Sequence, residues 1–299
     1  MANKRKGLRL KARLRLRRRN KALSGPKRRS KNQFHWLEFI FGLIITGAVI
    51  GIQAFELPAF RAVNEAAFDQ YQRWKPRKID PAAPVAVVDI DEASLQALGQ
   101  WPWPRTEVAE LIYRLHELGA ISIAFDVVFA EPDRTSPELI VKNWKKFDPS
   151  AEAVLSENLR NHDEVMAQAI AQTPTVLGIA LSGLSGENRP SQKAGVSYAG
   201  SDPREVIEDF PGATNNLPIL TEPATGVGNF SLGKERSEVV RRVPLITRVE
   251  DVMIPTLALE AIRVGFQAGS YIVKSADGSG EYGGVGIASM RVAMMEVPV

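Results

Sequence analysis

The side chains with the richest chemistry fall in two acidic groups, Asp89, Asp91 and Glu92, then Asp126, Glu131 and Asp133. Each group follows an apolar run that reads as a β-strand. Strand ends of that kind face the ligand crevice of an open α/β sheet, and Asp89 and Asp91 share one strand face by the period of two. Carboxylates so placed can hold a hard divalent cation, Mg²⁺ or Ca²⁺ before softer metals. A metal-dependent hydrolase using Asp89, Asp91, Asp126 and Asp133 is one reading. The other is structural. Asp126, inside an apolar strand, needs a hydrogen-bonded or charged partner such as Arg105, because an unpaired buried carboxylate is costly.

Between the two groups lies Trp101-Pro102-Trp103-Pro104-Arg105. Each proline fixes its own φ and restricts the residue before it, so the segment is stiff and extended. Two indoles and a guanidinium can cage a ligand by stacking and cation–π contacts. Alternatively the indoles plug a sheet edge and Arg105 closes an ion pair. The candidate ligand-binding set is therefore Asp89, Asp91, Trp101, Trp103, Arg105, Asp126, Glu131 and Asp133. No catalytic residue, metal ligand or cofactor is assigned. His116-Glu117 opens an HExxH pattern, but Ala120 stands where the second histidine belongs. The stretch 278–283 spells G-x-G-x-x-G before a strand-like segment instead of a helix, and reads as a hairpin turn. Gly183-Leu184-Ser185-Gly186 lacks the nucleophile-elbow frame. Three histidines and no cysteine leave little for a triad, a thiolate site or a disulfide.

These residues need elements to position them. Residues 85–91 (VAVVDID) read as a buried strand, 105–118 as an amphipathic helix and 120–129 as a second strand. Val108, Leu111, Ile112, Leu115 and Leu118 lie on one face of a 3.6-residue period. Pro104 suits the first helical turn and Gly119 the exit. Strand, helix and strand in that order predict a right-handed βαβ unit with parallel strands. Beyond it the pattern predicts helices at 151–160 and 163–172, a strand at 174–181 and a long loop at 183–217. Strands are expected at 226–232 and 239–249, a helix at 255–267 and a strand at 284–297. The fold class is α/β, a mixed sheet with flanking helices.

Hydrophobic residues at 44% and charged residues at 24% suit a chain that buries a core, which excludes a wholly disordered protein. Charge is distributed unevenly. Residues 1–31 hold 15 of the 38 Lys/Arg and no acid, leaving 23 bases against all 34 acids in the rest. Residues 37–55, LEFIFGLIITGAVIGIQAF, carry one ionisable group and reach about 28 Å as a helix, enough to span a bilayer core. The positive-inside rule puts the tail in the cytoplasm and the acidic body across the membrane. The expected organisation is a basic cytoplasmic tail at 1–33, a transmembrane helix at 34–57 and an extracytoplasmic domain at 58–299. An uncleaved anchor fits better than a signal peptide, because the apolar run is long and no A-x-A site follows. Without interleaved aromatics the tail suits anionic lipid headgroups, not nucleic acid.

VVDIDEASLQALGQWPWPR followed by GAISIAFDVVFAEPDR resembles the type-two CHASE family, the cyclase/histidine-kinase-associated sensory extracellular domains. The similarity runs on through residues 163–181, 226–246 and 254–263. Where the family carries D-x-D-G before an arginine pair, this chain has Lys234-Glu235-Arg236-Ser237-Glu238. The resemblance implies the sensor part of a bacterial transmembrane receptor in the inner (plasma) membrane, with a periplasmic or extracellular body. Its stimulus would be a small molecule or a protein, and a homodimer is expected. Further sensor strands, membrane helices and a cytoplasmic output are expected after Val299: a class III adenylate or guanylate cyclase, a kinase or a diguanylate cyclase. The alternative is a non-catalytic, membrane-anchored interaction or assembly module.

Overall fold

The computed structural model describes residues 32–54, 58–78, 80, 82–144, 146, 160–183, 189–233, 239–278 and 286–299. The chain divides into two units, Met1–Val88 and Asp89–Val299. In the first, two helices are described, α1 (Asn32–Ala54) and α2 (Pro58–Trp74). The side chains described in α1 are those of residues 36–51, a stretch of roughly 24 Å. Among the described residues no helix is long and apolar enough to cross a membrane. The basic tail expected at 1–33 lies almost entirely outside the described residues.

The second unit is α/β. Its helices are α3 (Glu92–Leu98), α4 (Arg105–Glu117), α5 (Pro137–Trp144), α6 (His162–Ala171), α7 (Pro218–Thr221) and α8 (Leu257–Gly265). A central strand, β2 (Thr175–Ser182), lies parallel to β1 (Ile123–Phe125) and to β6 (Gly226–Asn229), and antiparallel to β5 (Gly212–Thr214). A second sheet runs β11 (Met295–Pro298), β10 (Ile287–Val292), β9 (Ser270–Ser275) and β3 (Gly195–Ala199), with β3 and β9 parallel. A third joins β4 (Asp209–Phe210), β7 (Ile246–Val249) and β8 (Val252–Pro255). The mixed sheet of the sequence reading is thus resolved into three small ones.

Several elements differ from the sequence pattern. Residues 85–91 form no strand: none of them joins a β-ladder, and Val87 is 90% exposed. Alternating β-branched residues favour an extended backbone, but a strand exists only where a neighbour completes its hydrogen bonds. The parallel pair is β1 with β2 instead. Strand β1 stops at Phe125, which leaves Asp126 exposed beyond it. Only Ile246–Val249 of the expected 239–249 strand is laddered, and the expected strand at 284–297 is the β10–β11 hairpin, turning at Ala293. The loop at 183–217 contains β3, β4 and β5. The helix expected at 151–160 falls outside the described residues except for Arg160, which is not helical, and most of the 278–283 turn also lies outside them.

Helices α4 and α6 pack Val108, Ile112, Met166 and Ile170 onto Leu177 of β2 and Phe129. A separate core lies between α8 and the β9–β10 pair, around Leu259, Tyr271, Val273 and Met290. Helix α8 approaches β6 so closely that a Cβ on Gly228 would stand 2.6 Å from the Leu257 backbone. Glu260 and Arg263 of α8 are both buried. Glu260 accepts from Arg263 at 2.7 and 2.9 Å, from the Val227 amide at 3.3 Å and from the Tyr271 hydroxyl. Arg263 donates further to the Thr225 and Ala268 carbonyls. Burial, and then the Glu260 carboxylate, push the Tyr271 phenol far above its ordinary range.

Candidate functional site

The WPWPR segment leads into α4, and proline decides how it does so. Pro104 occupies the N-cap position and offers no side-chain acceptor. The first amide of α4, on Arg105, therefore finds its partner 28 residues away, donating to Asp133 Oδ2 at 2.7 Å. Asp133 also accepts from Thr135 N and Oγ1, both at 2.8 Å, and pairs with His162 Nδ1 at 3.0 Å. Burial works to raise the Asp133 carboxyl, but these hydrogen bonds outweigh it and hold the group below the ordinary carboxylate range. One carboxylate thus ties the start of α4, the 127–135 loop and the start of α6 together.

Helix α6 begins at His162 because Asn161 caps it, accepting from the amides of Asp163 and Glu164. That start directs Asp163 inward, where its Oδ2 accepts from the Asp133 amide at 3.0 Å. Its Oδ1 faces Arg105 Nε at 3.5 Å, with both side chains under 10% exposed. Neither of these two buried atoms has a hydrogen-bond partner. The guanidinium also lies 4.4 Å over the Phe129 ring and donates to the Glu131 carbonyl at 3.3 Å. Burial lowers the Arg105 pKa, against the opposing pull of Asp163 and Asp133.

The indoles are set by α3. Asp91 caps this short helix by accepting from Ser94 N at 2.8 Å, and Gly99 ends it with φ near +93°, a conformation costly for any residue with a Cβ. The Gly99 carbonyl accepts from Trp103 Nε1 at 2.8 Å. Trp101, joined to Pro102 by a cis peptide, meets the Trp103 ring edge to face at 5.7 Å. Between these rings, Arg105 and the 127–135 loop lies a cavity of about 610 Å³.

Of the eight sequence candidates, Trp101, Trp103, Arg105, Glu131 and Asp133 line this cavity. Asp89 and Asp126 are exposed and do not line it, and Asp91 is a helix cap. The partner of Arg105 is Asp163, with Asp133 on its amide, and not Asp126. Among the described residues no three His, Cys, Asp or Glu side chains gather to hold a metal ion. The sequence reading missed His162 and Asp163, although the Asn161 cap is a local signal for the helix start that places them.

The sequence model of the CHASE2 domain matches residues 43–295, and so spans both the cavity and the β9–β10 pair. The chain belongs to the CHASE2 domain family. CHASE2 domains are extracellular sensory domains of signalling proteins. No curated protein and no solved structure matches the chain. In this CHASE2 domain the two motifs that carried the resemblance, WPWPR and the FAEPD stretch, meet in space through the Arg105–Asp133 bond.

Proposed function

We propose that this CHASE2 domain is the extracytoplasmic stimulus-sensing region of a membrane-bound receptor with a cyclase or kinase output. Its stimulus, a small molecule or an exposed segment of a protein, occupies the cavity beside Trp101 and Trp103. The observation that carries this reading is the Arg105–Asp163 pair. Buried polar atoms are seldom left without a hydrogen bond, and those that are mark sites of function or missing partners. Here the cavity lined by Arg105 is wide enough for a small ligand. A ligand that draws the two groups together, or that takes Arg105 for itself, shifts the balance between two packings of α4 on α6.

Membrane attachment rests on α1. Its described apolar side chains, among them Phe39, Phe41, Leu43, Ile45 and Val49, are exposed around the whole helix, a pattern that suits burial in lipid. In sequence the apolar run extends to Phe55, and the basic tail before it favours the cytoplasmic leaflet.

Two measurements test the reading. Alkaline phosphatase fused at residue 200 is expected to be active and a cytoplasmic reporter there silent; the reverse pattern refutes an extracytoplasmic body. Fractionated metabolite extracts are expected to change the tryptophan fluorescence of the full chain, with the change lost in Trp101→Phe and kept in Trp144→Phe. A response that survives both Trp101→Phe and Arg105→Lys places the stimulus elsewhere.

A further inference from the structure

Helix α2 carries a second, independent pattern. Phe60, Asn64, Ala67, Tyr71 and Trp74 are spaced 4, 3, 4 and 3 residues apart, the a/d repeat of a coiled coil. In this frame Phe60, Ala67 and Trp74 take d positions, and Asn64 and Tyr71 take a positions. Val63 and Phe68 flank the seam at g and e. Glu65, Asp69, Gln72 and Arg73 fall on the opposite side of the helix. The apolar stripe is open: Phe60, Val63, Phe68, Tyr71 and Trp74 are 48% to 72% exposed.

We propose that α2 pairs with α2 of a second copy of this chain as a parallel, in-register two-stranded coiled coil. The flanking positions favour self-pairing. In a parallel pair, position g of one helix meets position e of the next heptad on the other. That sets Val63 against Phe68, with no like charges opposed within the helix. Asn64 decides the direction. In a parallel pair a meets a, so the two Asn64 amides face each other and can exchange hydrogen bonds. In an antiparallel pair Asn64 would face an apolar d residue. The area suffices too: aromatic side chains bury roughly 150–250 Å² each, so two stripes reach on the order of 1,000 Å², the size a specific interface needs. This pairing does not depend on what the cavity binds.

The chain has no cysteine, so single introduced cysteines report the contact without background. In membranes carrying the full chain, Phe60→Cys, Ala67→Cys and Trp74→Cys are expected to oxidise to disulfide-linked dimers at least about tenfold faster than Ala62→Cys and Ala66→Cys, because d positions face each other across the seam. Equal rates at 62, 66 and 67 overturn the proposal. Dimers at 67 without dimers at 60 and 74 indicate antiparallel pairing and overturn it as well. If no position cross-links, lipid or another protein covers the stripe and the pairing is refuted.

Discussion

Replacing Asp133 with asparagine keeps the side-chain volume but removes one acceptor and adds an amide donor. Both carboxylate oxygens are in use. Oδ2 takes the Arg105 amide at 2.7 Å and His162 Nδ1 at 3.0 Å, and Oδ1 takes Thr135 N and Oγ1 at 2.8 Å. Whichever way the new amide turns, its NH₂ meets a backbone N–H that has lost its acceptor. An orphaned buried donor costs about 1–3 kcal/mol, and losing the negative charge at the α4 N-terminus adds about 0.3–1 kcal/mol. A loss of about 3 kcal/mol is a large share of the 5–15 kcal/mol that holds a typical protein folded. For a unit of this size it lowers Tm by roughly 6–12 °C. Thermal unfolding of the detergent-solubilised full chain, followed by far-UV circular dichroism, measures it. The control is Asp126→Asn, an exposed position where a change within about 0.5 kcal/mol is expected. An Asp133→Asn midpoint within about 2 °C of the wild type, or an equal loss in Asp126→Asn, refutes the reasoning.

Glu260→Ala leaves Arg263 buried without its carboxylate and is expected to cost about 3–5 kcal/mol in urea unfolding, whereas the Glu260→Met/Arg263→Met pair recovers most of that. A single-variant loss under about 1 kcal/mol contradicts the role given to this network. Acid sensitivity gives a third outcome. Because the folded Asp133 carboxyl lies below its ordinary value, the unfolded chain takes up its proton first as pH falls. The stabilisation is complete above the unfolded carboxylate pKa of about 3.9 and is lost as pH drops through the folded value. Asp91, Asp202, Asp277 and Glu296 are also lowered, by hydrogen bonds from Ser94, Arg204, Ser201 and Lys274. They titrate in the same direction in both proteins, so Asp133→Asn is expected to show the shallower loss of stability below about pH 4. Identical slopes in denaturant titrations would remove Asp133 from the account.

Helix α4 was legible in the residues because Val108 and Ile112 repeat at the helical period beside Pro104, a local arrangement that needs no partner to be recognised. Strand β2 was legible for the same reason, its apolar run being long enough to be buried on both faces. The residues around Trp101, Arg105 and Asp133 also stood out as chemistry, by their types alone. Their relation to one another did not. Strand pairing at 85–91 and the choice of Asp163 over Asp126 as the partner of Arg105 depend on segments that a local period cannot connect.

What the sequence determined by itself is what short-range physics controls: the amphipathic faces, the stiffness of the proline segment and the split of charge between tail and body. Tertiary structure alone decided that a helix start without an N-cap side chain would find its acceptor 28 residues away, and that a buried arginine would face Asp163 at 3.5 Å. The physical reason is desolvation. A buried amide or guanidinium must be met by whichever acceptor the packed chain delivers, and that delivery is a property of the whole fold.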